Sequence, residues 1–271
     1  MTVNSSQAGL RARVEAAKAV ALKVGRETAA FRASADAVAL DVRNKGLQDF
    51  VTIADKQAED TIRQALLGAF PLDGFIGEEG GEKPGMGGAW IVDPIDGTTN
   101  FIRGYTHWAV SIAYVEGEDV LIGVVYDAAQ DAVFHAVRGE GAFKDGVAIR
   151  AASTSDAARA IVMLGHSRRT AFEDYLELSR RLHATGADYR RMGAAALGLV
   201  RVAEGVADLY FEKHISAWDM MAGLLIAREA GAVVLTRPVS ELLNQGGAIA
   251  ACAPGLTDAF AFVMAQVDIS G

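Results

Sequence analysis

Three apolar runs lie close together at residues 110–115, 120–126 and 132–137, separated only by Glu-Gly-Glu-Asp and Asp-Ala-Ala-Gln-Asp. Links that short join neighbouring antiparallel strands, because a parallel crossover needs about a dozen residues or more. The stretch from Trp108 to Phe143 therefore predicts an antiparallel meander, and the rest of the chain has to supply the layers that cover it.

N-terminal to the meander, Leu10, Val14, Ala17, Ala21 and Val24 recur at helical spacing, with Arg11, Arg13, Lys18 and Lys23 elsewhere on the wheel. They predict an amphipathic first helix. A strand is expected at 38–42, a second helix from about 52 to 67 with Asp55 near its start, and short strands at 74–77 and 89–92. Between those two strands the Gly-rich stretch 80–88 reads as an exposed loop. C-terminal to the meander the pattern alternates: strand 161–164, helices near 171–182 and 193–204, strand 207–211, helix 218–230, a strand near Val233 and a last helix 256–265. Strands followed by mixed elements predict sheets sandwiched between helix layers, not a doubly wound nucleotide-binding fold. At 271 residues the chain fits one large domain or two fused lobes.

Several function classes drop out. The net charge of −8 and the lack of a Lys/Arg run leave no basic field for nucleic acid or an anionic membrane. Cys252 is the only cysteine, so neither an intramolecular disulfide nor a thiolate metal cluster is available. No basic segment followed by an apolar core opens the sequence, and no apolar run approaches ~18 residues; a soluble cytoplasmic protein is expected. The P-loop, nucleophile-elbow, HExxH and CxxC signatures are missing, and the five histidines show no ligand spacing.

Carboxylates remain. Asp93 and Asp96 bracket Pro94-Ile95 directly after the apolar run Trp90-Ile-Val92, which places two carboxyls and the Ile95 carbonyl at a strand's exit. An all-oxygen cluster suits hard Mg²⁺. Gly97-Thr98-Thr99 can begin a helix whose unpaired amides would hold a phosphate oxygen. Glu78 also follows a strand and could reach the same crevice as ligand and base, and Asp219 stands in the first turn of an apolar helix. Each has a plainer reading: Asp-Pro-Ile-Asp-Gly as a polar turn, Glu78 as a loop glutamate, Asp219 as a helix cap.

Taken together, Lys45-Gly46, Asp49-Phe-Val-Thr52, Asp55, Gly77-Glu-Glu79, the run from Trp90 to Phe101, and Trp218-Asp219 with Ala222-Gly223 resemble the inositol monophosphatase family, in order and over nearly the whole chain. The resemblance implies a layered αβαβα sandwich of the inositol monophosphatase and fructose-1,6-bisphosphatase type, in the α/β (α+β) class. It would be a single domain, with an N-terminal α+β lobe at about 1–148 and a C-terminal α/β lobe at about 149–271. It also implies a homodimeric, lithium-sensitive hydrolase that uses two or three Mg²⁺ and activated water to cleave a small phosphate monoester, inositol 1-phosphate first. Metals would be held by Glu78, Asp93, the Ile95 carbonyl, Asp96 and Asp219. Glu78, Thr98 and Asp55 would be catalytic, with Thr98 bonded to Asp55. Asp96, Gly97, Thr98, Gly193, Ala194, Ala195 and Glu212 would contact phosphate or substrate, and Lys45 sits in the family's mobile-loop position. A loop lysine and a strand-end glutamate are also ordinary solvated residues.

Two features depart from the family pattern. Thr106 stands where a proline is common, and His166-Ser-Arg-Arg169 is an unfamiliar loop on the substrate side. Histidinol-phosphate, fructose bisphosphate and phosphoadenosine phosphate phosphatases are therefore the near rivals; Thr99-Asn100 after Gly-Thr favours the inositol branch. A regulatory binding protein with incidental catalysis is the rival of a different class.

Overall fold

The structure, a computed structural model, describes residues 6–34, 43–46, 49–51 and 53–268, with only the backbone path of 43–46 and 49–51. Helix α1 (Gln7–Ser34) buries the expected stripe, including Val14, Ala17, Ala21 and Val24. A hairpin, β1 (Arg43–Gly46) and β2 (Asp49–Val51), leads into α2 (Ile53–Ala69). Strands β3 (Gly74–Gly77), β4 (Gly81–Lys83) and β5 (Ala89–Asp96) follow, then the short helix α3 (Thr98–Arg103). The meander is β6 (Ala109–Glu116), β7 (Asp119–Asp127), β8 (Ala132–Val137), β9 (Ala142–Lys144) and β10 (Val147–Ala148). The eight strands from β3 to β10 form one sheet, ordered β10-β9-β8-β7-β6-β5-β3-β4. Within it only β3 and β5 run parallel.

A second sheet comes from the remainder: β11 (Ile161–Leu164), α4 (Phe172–Ala184), β12 (Asp188–Arg190), α5 (Ala195–Ala203), β13 (Leu209–Ile215), α6 (Ala217–Glu229), β14 (Val233–Thr236), α7 (Val239–Gln245), β15 (Gly247–Cys252) and α8 (Ala261–Met264). Its strand order is β12-β11-β13-β15-β14. Three apolar clusters stack the layers. Helices α1 and α2 cover one face of the large sheet through Trp90, Val92, Ile112 and Tyr126. The opposite face, carrying Ile91, Ala113, Val125 and Phe134, packs on α5 and α6, which also touch the small sheet at Tyr210, Ile249 and Ala251. The far side of the small sheet, with Val162, Phe211 and Cys252, is closed by Leu178, Leu182, Phe260 and Val263. The order is helix, sheet, helix, sheet, helix: the αβαβα sandwich. Because the middle helices meet a sheet on each side, α6 is apolar nearly all round, burying Met220, Met221, Leu224, Leu225 and Ile226. Among the described residues no helix is long and apolar enough to cross a membrane.

Most expected elements are present, but several short ones were not expected: the hairpin β1–β2, helix α7, and the fully exposed strands β12 and β4, which carry no apolar pattern, β4 lying inside the stretch 80–88 read as a loop. Other differences bear on the core and the site. The helix expected at 256–265 is a 3₁₀ turn (Pro254–Leu256) and the single-turn α8. Leu256, Phe260 and Val263 still face the core, so the helical spacing is real although the backbone is not one helix. Strand β13 runs on to Ile215, so Glu212 lies inside a strand rather than ending one. Strand β15, which pairs with both β13 and β14, escaped the sequence reading. Gly-Ala-Ile-Ala-Ala-Cys is buried on both faces, hence without alternation, and alanine favours strands weakly. The strand expected at 38–42 lies outside the described residues.

Candidate active site

Asp93 and Asp96 are three positions apart, and a regular pleat would send them to opposite faces of the sheet. The pairing of β5 with β6 slips between them: Asp93 faces Ser111 and Asp96 faces Ala109, three steps against two. This bulge restores a common side. Trp90, Val92 and Ile95 point into the α1/α2 cluster, while Ile91 packs on the α5/α6 side, where both carboxylates meet Asp219. Pro94, with no N–H to offer a ladder, sits within the slip. Asp93 fixes the local turn by accepting the Ile95 N–H at 2.9 Å. Helix α6 is pinned beside the bulge, since the Ser111 hydroxyl donates to the Trp218 carbonyl at 2.9 Å.

Oxygens of Asp93, Asp96 and Asp219 lie within 4.8 Å of one another. Asp93 is 2% and Asp96 6% exposed. Burial pushes the Asp93 carboxyl far above the usual carboxylate range, and the charges of Glu78, Asp219 and Asp96 push it further. Glu78 reaches this position because its N–H continues the parallel pairing, donating to the Val92 carbonyl at 3.2 Å. Asp96 is raised likewise, first by burial and then by Asp219, although the Ala195 and Ala196 amides donate to its two oxygens at 3.1 and 2.7 Å and partly offset the shift. Asp219 has a capping role as well: its Oδ2 accepts the Ser216 N–H at 3.0 Å across the first turn of α6. Asp219 is therefore not the N-cap, which is Ser216, but its N3 partner in a capping box, and the same carboxylate also faces Asp93 and Asp96. Buried carboxylates that repel one another, with no thiolate or imidazole among them, form the donor set that a hard divalent cation satisfies. The residues present therefore fit Mg²⁺.

Next to this cluster Gly97 adopts φ 93°, a left-handed conformation that favours glycine, and a Cβ there would crowd Ala194, the Gly193 carbonyl and the His107 carbonyl. The 193–196 segment thus lies against the start of α3. Asn100 holds it there, donating to the His107 and Met192 carbonyls at 2.8 Å each. The Thr98 hydroxyl donates to the Ile95 carbonyl at 3.0 Å and approaches Asp55, which is fully buried, at 3.4 Å. On the far wall Glu212, 8% exposed, accepts the Tyr210 hydroxyl at 2.7 Å. Burial and then the Asp219 charge push Glu212 up to about 8, against the opposing pull of Tyr210, Arg191 and Arg169.

The structure thus brings together Glu78, Asp93, Ile95, Asp96, Asp219, Thr98, Asp55, Gly97, the 193–195 segment and Glu212. Lys45 is the exception. Its backbone lies in β1 and its side chain is outside the described residues. Sequence reasoning missed Ser111, Ala196 and Glu59. Glu59, 1% exposed on α2, accepts the Glu79 N–H at 2.8 Å and an Arg63 N–H at 2.7 Å, directly beneath Gly77 and Gly80. Its signal was faint: a glutamate on the apolar stripe of a helix, answered by two glycines in a distant loop.

Comparison with known proteins adds an independent line. Residues 7–266 match the family described as "Inositol monophosphatase family". The chain is 43% identical over 196 residues to the inositol-1-monophosphatase of Rhizobium meliloti, spanning 71% of this chain and 74% of that protein. It is 37% identical over 219 residues to the Nus factor SuhB of Vibrio cholerae, 79% and 82% of the two chains. The crystal structure of extragenic suppressor protein SuhB from Bartonella henselae superposes with a TM-score of 0.86 at 32% identity, covering 92% of this chain and 97% of that one.

Proposed function

The chain belongs to the inositol monophosphatase family, and from that premise we propose that it is a Mg²⁺-dependent phosphatase that hydrolyses a small phosphate monoester such as inositol 1-phosphate. The observation that carries the reading is the convergence of the buried Asp93 and Asp96 with the partly buried Asp219, from two different layers and mutually repelling, beside the first turn of α3. Glu78, Asp93, Asp96, Asp219 and the Ile95 carbonyl would hold the metal. Bound there, Mg²⁺ would neutralise phosphate charge and acidify water. The chain's own groups do the rest. Gly97 and Thr98 amides orient a phosphate oxygen. The Glu78 carboxylate takes a proton from the attacking water as the water oxygen bonds to phosphorus and the ester P–O bond breaks, the departing alkoxide taking a proton from solvent. The Thr98 hydroxyl, poised between the Ile95 carbonyl and Asp55, steers that water. Ala195 and Ala196 keep Asp96 fixed, and Gly193 to Ala195 with Glu212 line the alcohol side. The same reading includes a cytoplasmic homodimer inhibited by Li⁺.

The test is phosphate release with Mg²⁺ from inositol 1-phosphate, histidinol phosphate, fructose 1,6-bisphosphate and adenosine 3′,5′-bisphosphate, repeated with Asp93→Asn. Turnover of inositol 1-phosphate that the substitution abolishes supports the proposal. Activity indifferent to both metal and Asp93 would contradict it. The several relatives that bear the name Nus factor SuhB support a second reading, a regulatory binding role, and release from none of the four esters would promote it.

A further inference from the structure

The loop flagged as unfamiliar, His166 to Arg169, crosses directly over Glu212. Gly165 opens it, and a Cβ there would fall 1.9 Å from Glu212 Oε2, so the carboxylate lies against bare backbone. At the loop's other end the Arg169 Nη1 donates to the Ser216 hydroxyl at 3.1 Å. Ser216 is the residue whose N–H is held by Asp219, which puts the guanidinium at the edge of the carboxylate cluster. From the opposite wall the Arg191 Nη2 reaches the His166 carbonyl at 3.5 Å, just before the 192–196 segment anchored by Asn100 and Asp96.

Both charges act on Glu212 from a distance. Neither is taken up by a direct ionic partner: among the described residues neither Arg169 nor Arg191 makes an ion pair, whereas neighbouring Arg190 pairs with Asp188 and Lys213 with Asp174. Both side chains are exposed at the mouth, and both act on the Glu212 wall rather than on the phosphate-binding side formed by Gly97 and Thr98. A neutral polyol leaves such groups idle, and a cationic amino alcohol is repelled. Planar guanidinium forks match phosphate and carboxylate oxygens.

We propose that Arg169 and Arg191 form an anion subsite on the leaving-group side of the carboxylate cluster, so that the preferred ester carries a second phosphate or a carboxylate on the alcohol it releases. The inference rests on the phosphatase reading and narrows its substrate class. One guanidinium pairing with an added anion is worth roughly a ten-fold gain in kcat/KM.

Matched esters that differ only in the second anion test it: fructose 1,6-bisphosphate against fructose 1-phosphate, and 2-phosphoglycerate against glycerol 2-phosphate, each with saturating Mg²⁺. The expected result is a kcat/KM ratio of about ten in at least one pair, which identifies the anion, shrinking with added salt and falling towards one in the Arg169→Gln, Arg191→Gln double variant. A ratio at or below one in both pairs, or a ratio unchanged in the double variant, overturns the subsite while leaving the phosphatase reading in place. No turnover of any of the four esters overturns the subsite, and the phosphatase reading falls with it only when inositol 1-phosphate, run alongside, is not hydrolysed either.

Discussion

Asp93 shows what the acidic site costs the protein. It is buried among like charges, and Asp93→Asn keeps its shape while removing one of them. The chelated variant should be more stable to urea than the parent by roughly 1–2 kcal/mol, while losing about a hundred-fold or more of its Mg²⁺-supported turnover. A variant destabilised in EDTA would show that Asp93 holds the fold rather than the metal. The titration of the site points the same way. Asp93, Asp96 and Glu212 all have folded-state pKa values raised above their ordinary ones, Glu212 to about 8. The folded chain keeps protons that the unfolded chain releases, so the metal-free protein should lose stability as pH climbs from about 4 through about 8, the reverse of a salt-bridged carboxylate. Urea midpoints in EDTA at about pH 5 and pH 8 check this, and saturating Mg²⁺ should flatten the slope.

Among the elements, α2 has two functions: its first turn carries Asp55 to Thr98, and one turn later Glu59 holds the backbone of Glu79. Glu59→Gln loses the charge shared with Arg63 and loosens the loop that presents Glu78. It should raise the half-saturating Mg²⁺ concentration roughly ten-fold with little change in melting temperature, as read from a Mg²⁺ titration of turnover. A large drop in melting temperature with unchanged Mg²⁺ dependence would assign Glu59 to packing alone. Elements with strong periodicity were legible in the sequence: α1 from its apolar stripe, and β6 to β8 from their turns. The carboxylates proposed as ligands were legible because they stand in short contiguous motifs. The bulge in β5 was not, although it decides which way Asp96 points, because a slipped register depends on the partner strand and leaves no local pattern. Nor was β15, whose small residues are buried on both faces. Of the two arginines of the mouth, Arg169 was visible only as part of an odd loop and Arg191 not at all, since the segments that bear them meet only in three dimensions.

At the scale of the molecule, the middle helix layer serves two sheets at once. Ile226, fully buried on α6, has no open side into which a cavity can collapse, so Ile226→Ala should cost about 2–5 kcal/mol of unfolding free energy in urea. Leu176→Ala, at a side chain 51% exposed on α4, should stay within about 0.5 kcal/mol. That middle layer also brings Asp219 to carboxylates that belong to the large sheet, while Glu212 and the loop bearing Arg169 come from the small one. On the proposed assignment, reaction and recognition have separate addresses in the sequence. A designer who wants a new leaving group can exchange residues 165–169 and 190–192 and leave 93–98 untouched, and natural variation in the two sets of positions is free to run at different speeds.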